Sequence, residues 1–248
     1  MSLIKYVGMQ VDGGDVGVEF PNKTIQFVRG RLNEHFLYVM ESLLARDTSG
    51  YYSDLDSHAG KSYSDIDGHL VMLFNDGAIQ SNERVIQVSG VLPSIHVVRY
   101  IGVGTTFRSF HLESSLSTYS TVYSDMRKYS HVIDDAKWVR LISVVNDLLG
   151  FEFVKLEDEK LSFSPSSDCK FSIEAQKFVY MLMAECYLTP DGFRRILLLS
   201  DIPFLEKEDE VKFISKLCAI PGASLTLSTA GVGTSDIEPY NSMSFLSV

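Results

Sequence analysis

Cysteine is scarce in this chain: Cys169, Cys186 and Cys218 are the only three in 248 residues. No CxxC pair and no Cys/His ligand spacing joins them, so neither a disulfide framework nor a zinc site is expected. They read as reduced thiols of a cytoplasmic protein. Positive charge is also short. The 22 Lys and Arg against 32 Asp and Glu leave a net charge of −10 and a pI near 5.0. That balance counts against direct nucleic-acid binding, because affinity for a phosphate backbone comes mainly from clustered cations. Long apolar runs are missing as well: no window approaches the roughly 20 residues that span a bilayer. The opening MSLIKYVGMQVDGGD breaks at Gly and Asp where a secretory signal needs an uninterrupted apolar stretch, so no membrane association is expected. No heptad run exists, which excludes coiled-coil arms. The six histidines (His35, His58, His69, His96, His111 and His131) show neither HxxxH nor HxH spacing, and no GxSxG accompanies them. A metal site and a serine triad are therefore disfavoured.

With 45% hydrophobic and 22% charged residues the composition is that of an ordinary soluble protein. The length suffices for one large α/β domain, and a single domain over residues 1–248 is the expectation. Leu3 to Gly30 reads as two or three short strands, the last being KTIQFVRG, Lys23 to Gly30. Phe36, Leu37, Val39, Met40, Leu43 and Leu44 at helical spacing predict a helix to Ala45, and the polar stretch Asp47 to Gly68 a loop. From His69 the pattern turns to β structure, with a hairpin at Asn75-Asp76-Gly77 and strands at Arg84–Ser89 and Ile95–Gly102. An antiparallel subregion over about 69–110 follows. Residues 114–188 are expected to form a helical and hairpin subregion. In it Ser114 to Ser130 is a loop or irregular helices, Trp138 to Leu149 a helix ended by Gly150, and Phe151 to Phe163 a hairpin turning at Glu157 to Glu159.

Three segments follow in order: FSIEAQKFVYMLMAECY (Phe171 to Tyr187), RRILLLSDIPF (Arg194 to Phe204) and ASLTLSTAGVG (Ala223 to Gly233). Their order and apolar pattern resemble the signature helix, Walker B strand and switch-histidine strand of ATP-binding-cassette (ABC) ATPases, closest to the heads of SMC, RecF-like and overcoming-lysogenization-defect proteins. The resemblance implies an α/β, P-loop-NTPase-like mixed sheet with flanking helices, in which Lys23–Val28, Ile196–Leu199 and Ser224–Ser228 lie side by side. It also exposes what has been lost. Between the Lys23–Gly30 strand and the next helix stand only Arg31, Leu32, Asn33, Glu34 and His35, where a phosphate loop needs several glycines and a lysine. RYIGVGTTFRSF (Arg99 to Phe110) holds no Q-loop glutamine. The signature keeps Ser172 and Gln176 but places Glu174 where the family has glycine, and a carboxylate there would oppose a triphosphate. Walker B ends in Ser200 and Asp201 rather than Asp-Glu, so the magnesium-holding charge is missing. After Thr229 comes Ala230, not histidine.

Read without the resemblance, Ser172 is a helix N-cap and Asp201 a strand-end residue. The pairs Gly102/Gly104 and Gly231/Gly233 are turns. LEKEDEVKFISKLC (Leu205 to Cys218) is a helix with Glu208 and Lys212 paired at i,i+4.

Five losses together imply a degenerate ABC-type domain without ATP chemistry and without a cofactor: a pseudoenzyme acting as a binding or regulatory subunit, partnered by another protein such as an ABC-type ATPase in a DNA-repair or phage-defence assembly. Its interaction face would be the vestigial nucleotide site, Gly30, Arg31, Asn33, Ser172, Glu174, Gln176, Ser200, Asp201 and Thr229. One alternative is a divergent subunit that binds ATP and Mg²⁺ through Arg29, Arg31 or Lys23 and completes its site with a partner. Another is an acidic protein that engages a DNA-processing enzyme by charge.

Overall fold

The computed structural model describes residues 3–11, 14–30, 33–45, 70–82, 85–100, 107–112, 117–120, 135–157, 160–187, 189–202 and 205–248. Two sheets organise them. The first is a five-stranded antiparallel sheet of β1 (Ile4–Val11), β2 (Gly14–Glu19), β4 (Leu70–Phe74), β5 (Gly77–Asn82) and β6 (Val85–Gly90), in the order β2-β1-β4-β5-β6. The second has seven strands, β3 (Ile25–Arg29), β7 (Ile95–Tyr100), β8 (Phe107–Leu112), β9 (Ser117–Ser120), β12 (Arg194–Leu199), β13 (Ala223–Ser228) and β14 (Met243–Ser247). Their order is β14-β3-β13-β12-β7-β8-β9, parallel from β14 to β7 and antiparallel from β7 to β9. The strands β3, β13 and β12 are thus neighbours, as the resemblance implies.

Two expectations are corrected. The stretch over residues 69–110 is not one antiparallel unit. Its first part makes β4 to β6, but Ile95–Tyr100 joins the other sheet and runs parallel to β12, Val97 beside Ile196 and Val98 beside Leu197. All six residues of this strand are buried, which is what a strand covered on both faces requires. Within Ser114 to Ser130, residues Ser117–Ser120 form the edge strand β9 instead of a loop or helix. The expected loop over 47–68 lies outside the described residues.

The helices explain the apolar runs. Helix α1 (Asn33–Ala45) lies between the sheets: Phe36, Leu37, Val39, Met40, Leu43 and Leu44 share one core with Ile4, Val7, Met72 and Ile79 of the antiparallel sheet and with Ile196, Leu198, Leu225 and Leu227 of the parallel one. A helix buried on opposite sides cannot show a clean polar stripe. On the other face of the parallel sheet Phe27, Val98, Leu197 and Leu199 pack with α2 (Asp135–Leu149), α3 (Ile173–Tyr187) and α4 (Lys207–Ala219). The one-residue alternation between Ile196/Leu198 and Leu197/Leu199 is the strand period dividing two cores. Gly150 ends α2 at φ +79°, and the hairpin β10 (Val154–Glu157) and β11 (Lys160–Phe163) leads on to α3. A short helix, α5 (Thr234–Ile237), precedes β14. Among the described residues no helix is long and apolar enough to cross a membrane.

Candidate functional site

Parallel strands bring their carboxyl ends to one edge of a sheet, and ligands of open α/β sheets are commonly held there. At that edge stand Gly30 after β3, Ser200 and Asp201 after β12, Thr229 to Gly231 after β13, and Val248 after β14. Gly30 has φ +133°, and a Cβ built on it would lie 1.8 Å from the Val248 carbonyl oxygen. The Val248 N–H donates to the Arg29 carbonyl at 2.8 Å. The chain's own backbone therefore fills one flank of the position where a phosphate loop would begin. Arg29 is spoken for as well, donating through Nη2 to the Val232 carbonyl at 2.5 Å and stacking its guanidinium 3.3 Å from the Phe245 ring centre.

Arg31 lies outside the described residues, and Asn33 is described only as the first residue of α1. Lys23 stands seven residues before Gly30, at the opposite end of β3, where Nζ donates to the Asn241 carbonyl. At about 3.3 Å per residue the strand separates them by roughly 20 Å. Lys23 cannot serve a ligand at the Gly30 edge.

Ser200 is buried, and its N–H donates to the Tyr100 carbonyl at 2.7 Å. The Thr229 N–H donates to the Leu199 carbonyl at 2.9 Å, and Thr229 Oγ1 accepts the Asp201 N–H at 3.2 Å. These bonds tie the ends of β12 and β13 together and leave the exposed Asp201 carboxylate as the acidic group at the edge.

A buried partner stands beside it. Glu210, on the first turn of α4, is fully buried, and its Oε1 accepts the Ile202 N–H at 3.1 Å. Burial raises its pKa first and the Asp201 charge next, to about 8, against the opposing pull of the Ile202 N–H and of Lys207. At neutral pH Glu210 is therefore mostly a neutral acid beside Asp201. The Lys207 amine lies 3.3 Å from where a Cβ on Gly231 would stand.

At the start of α3, Ser172 Oγ accepts the Ala175 N–H at 3.2 Å, the bond of an N-cap. Glu174 is exposed on the first turn. Gln176 is buried and turned inward: its Oε1 accepts the Ser166 N–H at 3.1 Å, and its Nε2 donates to the Ser166 and Phe171 carbonyls at 2.7 and 2.8 Å. It braces the segment before the helix. Lys170 pairs with Asp209 of α4 at 2.6 Å and so holds the starts of α3 and α4 together.

Two side-chain contacts tie this region together, Arg29 to the Val232 carbonyl and Lys170 to Asp209. Sequence reasoning missed Glu210, and it offered Arg29 only as a cation for nucleotide, whereas Arg29 is held by Val232 and Phe245. The signal for Glu210 is present, since it sits at i−4 from Ile214 and i−7 from Leu217 on the stripe that α4 buries. The expected pair Glu208–Lys212 does form, at 2.6 Å on the exposed side. Among the described residues no group of three or more His, Cys, Asp or Glu could hold a metal ion.

No protein-family profile matches this chain. No curated protein matches it either. Among solved structures it is similar to the SMC head in its complex with the C-winged helix domain of ScpA, at 11% identity over 92% of this chain and 89% of that one, with a TM-score of 0.43. The overlap is too loose to establish a shared fold.

Proposed function

We propose that this chain is a catalytically inactive ABC-ATPase-like protein that serves as a binding or regulatory subunit, through the face that includes Asp201, Glu174 and Ser172. One observation carries the reading: Arg29, Gln176 and Thr229 are committed within the chain and Glu174 and Asp201 are acidic, which leaves Lys207, beside Gly231, as the exposed cation described at this edge. Arg29 is held by Val232 and Phe245, Gln176 by Ser166 and Phe171, and Thr229 by the Asp201 N–H. A triphosphate needs converging N–H donors as well as a mobile cation. Proteins that recognise carboxylates do so with complementary positive charge, so the partner presents a basic or neutral surface. The resemblance read from the sequence suggests an ABC-type ATPase subunit acting in DNA repair or phage defence in the cytoplasm.

The test is titration calorimetry with ATP and Mg²⁺ on the isolated protein, where no binding up to millimolar nucleotide is expected. A low-micromolar dissociation constant, lost on Arg31→Ala, replaces this reading with that of a divergent ATP-binding subunit.

A further inference from the structure

At the opposite end of the parallel strands a cleft of about 270 Å³ opens between the first turns of α2, the last turn of α3 and the turns that lead into β12 and β13. It is separate from the Gly30 edge: Asp191 on its rim precedes β12 and Pro221 precedes β13, whereas Asp201 and Thr229 follow those strands. Ile220, Pro221 and the Tyr187 ring give its lining apolar surface. Its rim is charged. Lys137 and Arg140, three residues apart on α2, project into the same opening, as the helical period requires.

The charges do not cancel. Lys137 pairs with Asp191 at 3.2 Å, which neutralises one cation. For Arg140 no carboxylate partner exists among the described residues. Behind the lining stands Arg195, fully buried, whose guanidinium donates to the carbonyls of Cys186, Leu217, Ile220 and Pro221 and to Thr189 Oγ1. Both arginines are felt inside the cleft, since burial pushes the Tyr187 hydroxyl up while the positive charges of Arg140 and Arg195 pull it back. A local cationic excess beside an apolar lining contrasts with a protein of net charge −10.

We propose that this cleft binds a small organic acid, a single carboxylate on a flat apolar body, with the carboxylate on Arg140 and the body between Tyr187, Ile220 and Pro221. The volume lies just under the roughly 300–1,000 Å³ of sites that take drug-sized ligands, which sets the size class. A guanidinium takes a carboxylate in bidentate geometry, which sets the charged end. The apolar lining sets the rest, because a fully hydrated anion would leave Ile220 and Pro221 uncovered.

The experiment uses the full chain and two probes that share the indole-3-methyl body but carry either a carboxylate or a neutral amide, indole-3-acetate and indole-3-acetamide, followed by heteronuclear NMR titration. The acid is expected to shift resonances of Arg140, Tyr187 and Ile220 with saturable, salt-weakened binding, and the neutral amide to bind at least tenfold more weakly. Arg140→Gln is expected to raise the dissociation constant for the acid at least tenfold with an unchanged unfolding midpoint, since Arg140 is exposed. Arg140→Lys should recover part of the affinity. The proposal is overturned by absence of shifts at 10 mM acid (roughly the weak limit of specific binding), by equal binding of acid and amide, or by binding that Arg140→Gln leaves unchanged.

Discussion

Arg99 on β7 donates through Nη1 to Glu41 Oε2 on α1 at 2.6 Å, an ion pair at the boundary between the parallel sheet and the helix beneath it, with side chains 3% and 11% exposed. It sits among apolar neighbours in both elements, Met40 and Leu43 on α1 and Val97 and Val98 on β7. Removing one member strands the other in a low-dielectric layer. Glu41→Ala is therefore expected to lower stability by about 3–5 kcal/mol in urea denaturation, whereas the double change Glu41→Leu with Arg99→Met should cost less than either single change. If the double variant is as unstable as the sum of the singles, the pair is not what holds these side chains in place.

The neutral state of Glu210 makes stability depend on pH. Its carboxyl titrates near 8 in the folded chain against an ordinary value of 4.5. Between those values the folded state keeps a proton that the unfolded state has released, so stability falls as pH rises through that window and levels off above about pH 8. The full span corresponds to on the order of 3–5 kcal/mol. Glu210→Gln keeps the shape and a hydrogen-bonding group without the charge. Thermal unfolding across pH 5 to 9 should show a flatter profile for Glu210→Gln than for the parent chain, with the largest gain in stability at the alkaline end. Parallel profiles would mean that Glu210 is solvated.

Arg195 joins elements that are far apart in sequence, the ends of α3 and α4 and the starts of β12 and β13. Its donors go to the Cys186 and Leu217 carbonyls, which also accept from Thr189 and Ile220, and to the Ile220 and Pro221 carbonyls of the turn after α4. Arg195→Met preserves bulk but removes every donor. A loss of more than about 3 kcal/mol in chemical denaturation is expected, at about 1–3 kcal/mol for each buried acceptor left unpaired. Arg195→Lys, able to reach only part of the set, should fall between the two. Near-parent stability of Arg195→Met would show that water replaces the guanidinium.

The parallel core was legible because its signals are local. Ile196 to Leu199 is a short apolar run bounded by charge, and Trp138 to Leu149 and Phe171 to Tyr187 repeat at helical spacing. Allegiance between sheets was not legible. Ile95–Tyr100 reads the same whether it pairs with β6 or β12, because strand pairing across about a hundred residues leaves no local trace in either strand. The candidate edge was half legible: Ser172 and Asp201 stand where the pattern put them, at a helix start and a strand end. The inward turn of Gln176 and the neutrality of Glu210 depend on neighbours, Ser166 and Asp201, that only the folded chain brings together. Arg195 is concealed by its twin, since Arg194 is exposed and the two letters differ only in strand face.

The proposed partner face can be separated from stability by charge reversal. Glu174 and Asp201 are both exposed; Glu174→Lys should leave stability within about 1 kcal/mol of the parent, whereas Asp201→Lys also acts on the buried Glu210 beside it and is compared at matched folded fraction. A complementary surface responds otherwise, because a reversed charge turns attraction into repulsion and slows association. In affinity capture from the native host, followed by binding kinetics with the partner so recovered, each reversal is expected to weaken the complex at least tenfold. The effect should shrink as salt is raised, since exposed charges are screened over about 10 Å at 0.1 M. Restoring binding by reversing a basic residue on the partner would locate the contact at the edge of the parallel strands. Full complex formation and full cellular activity in both variants would move the functional surface elsewhere.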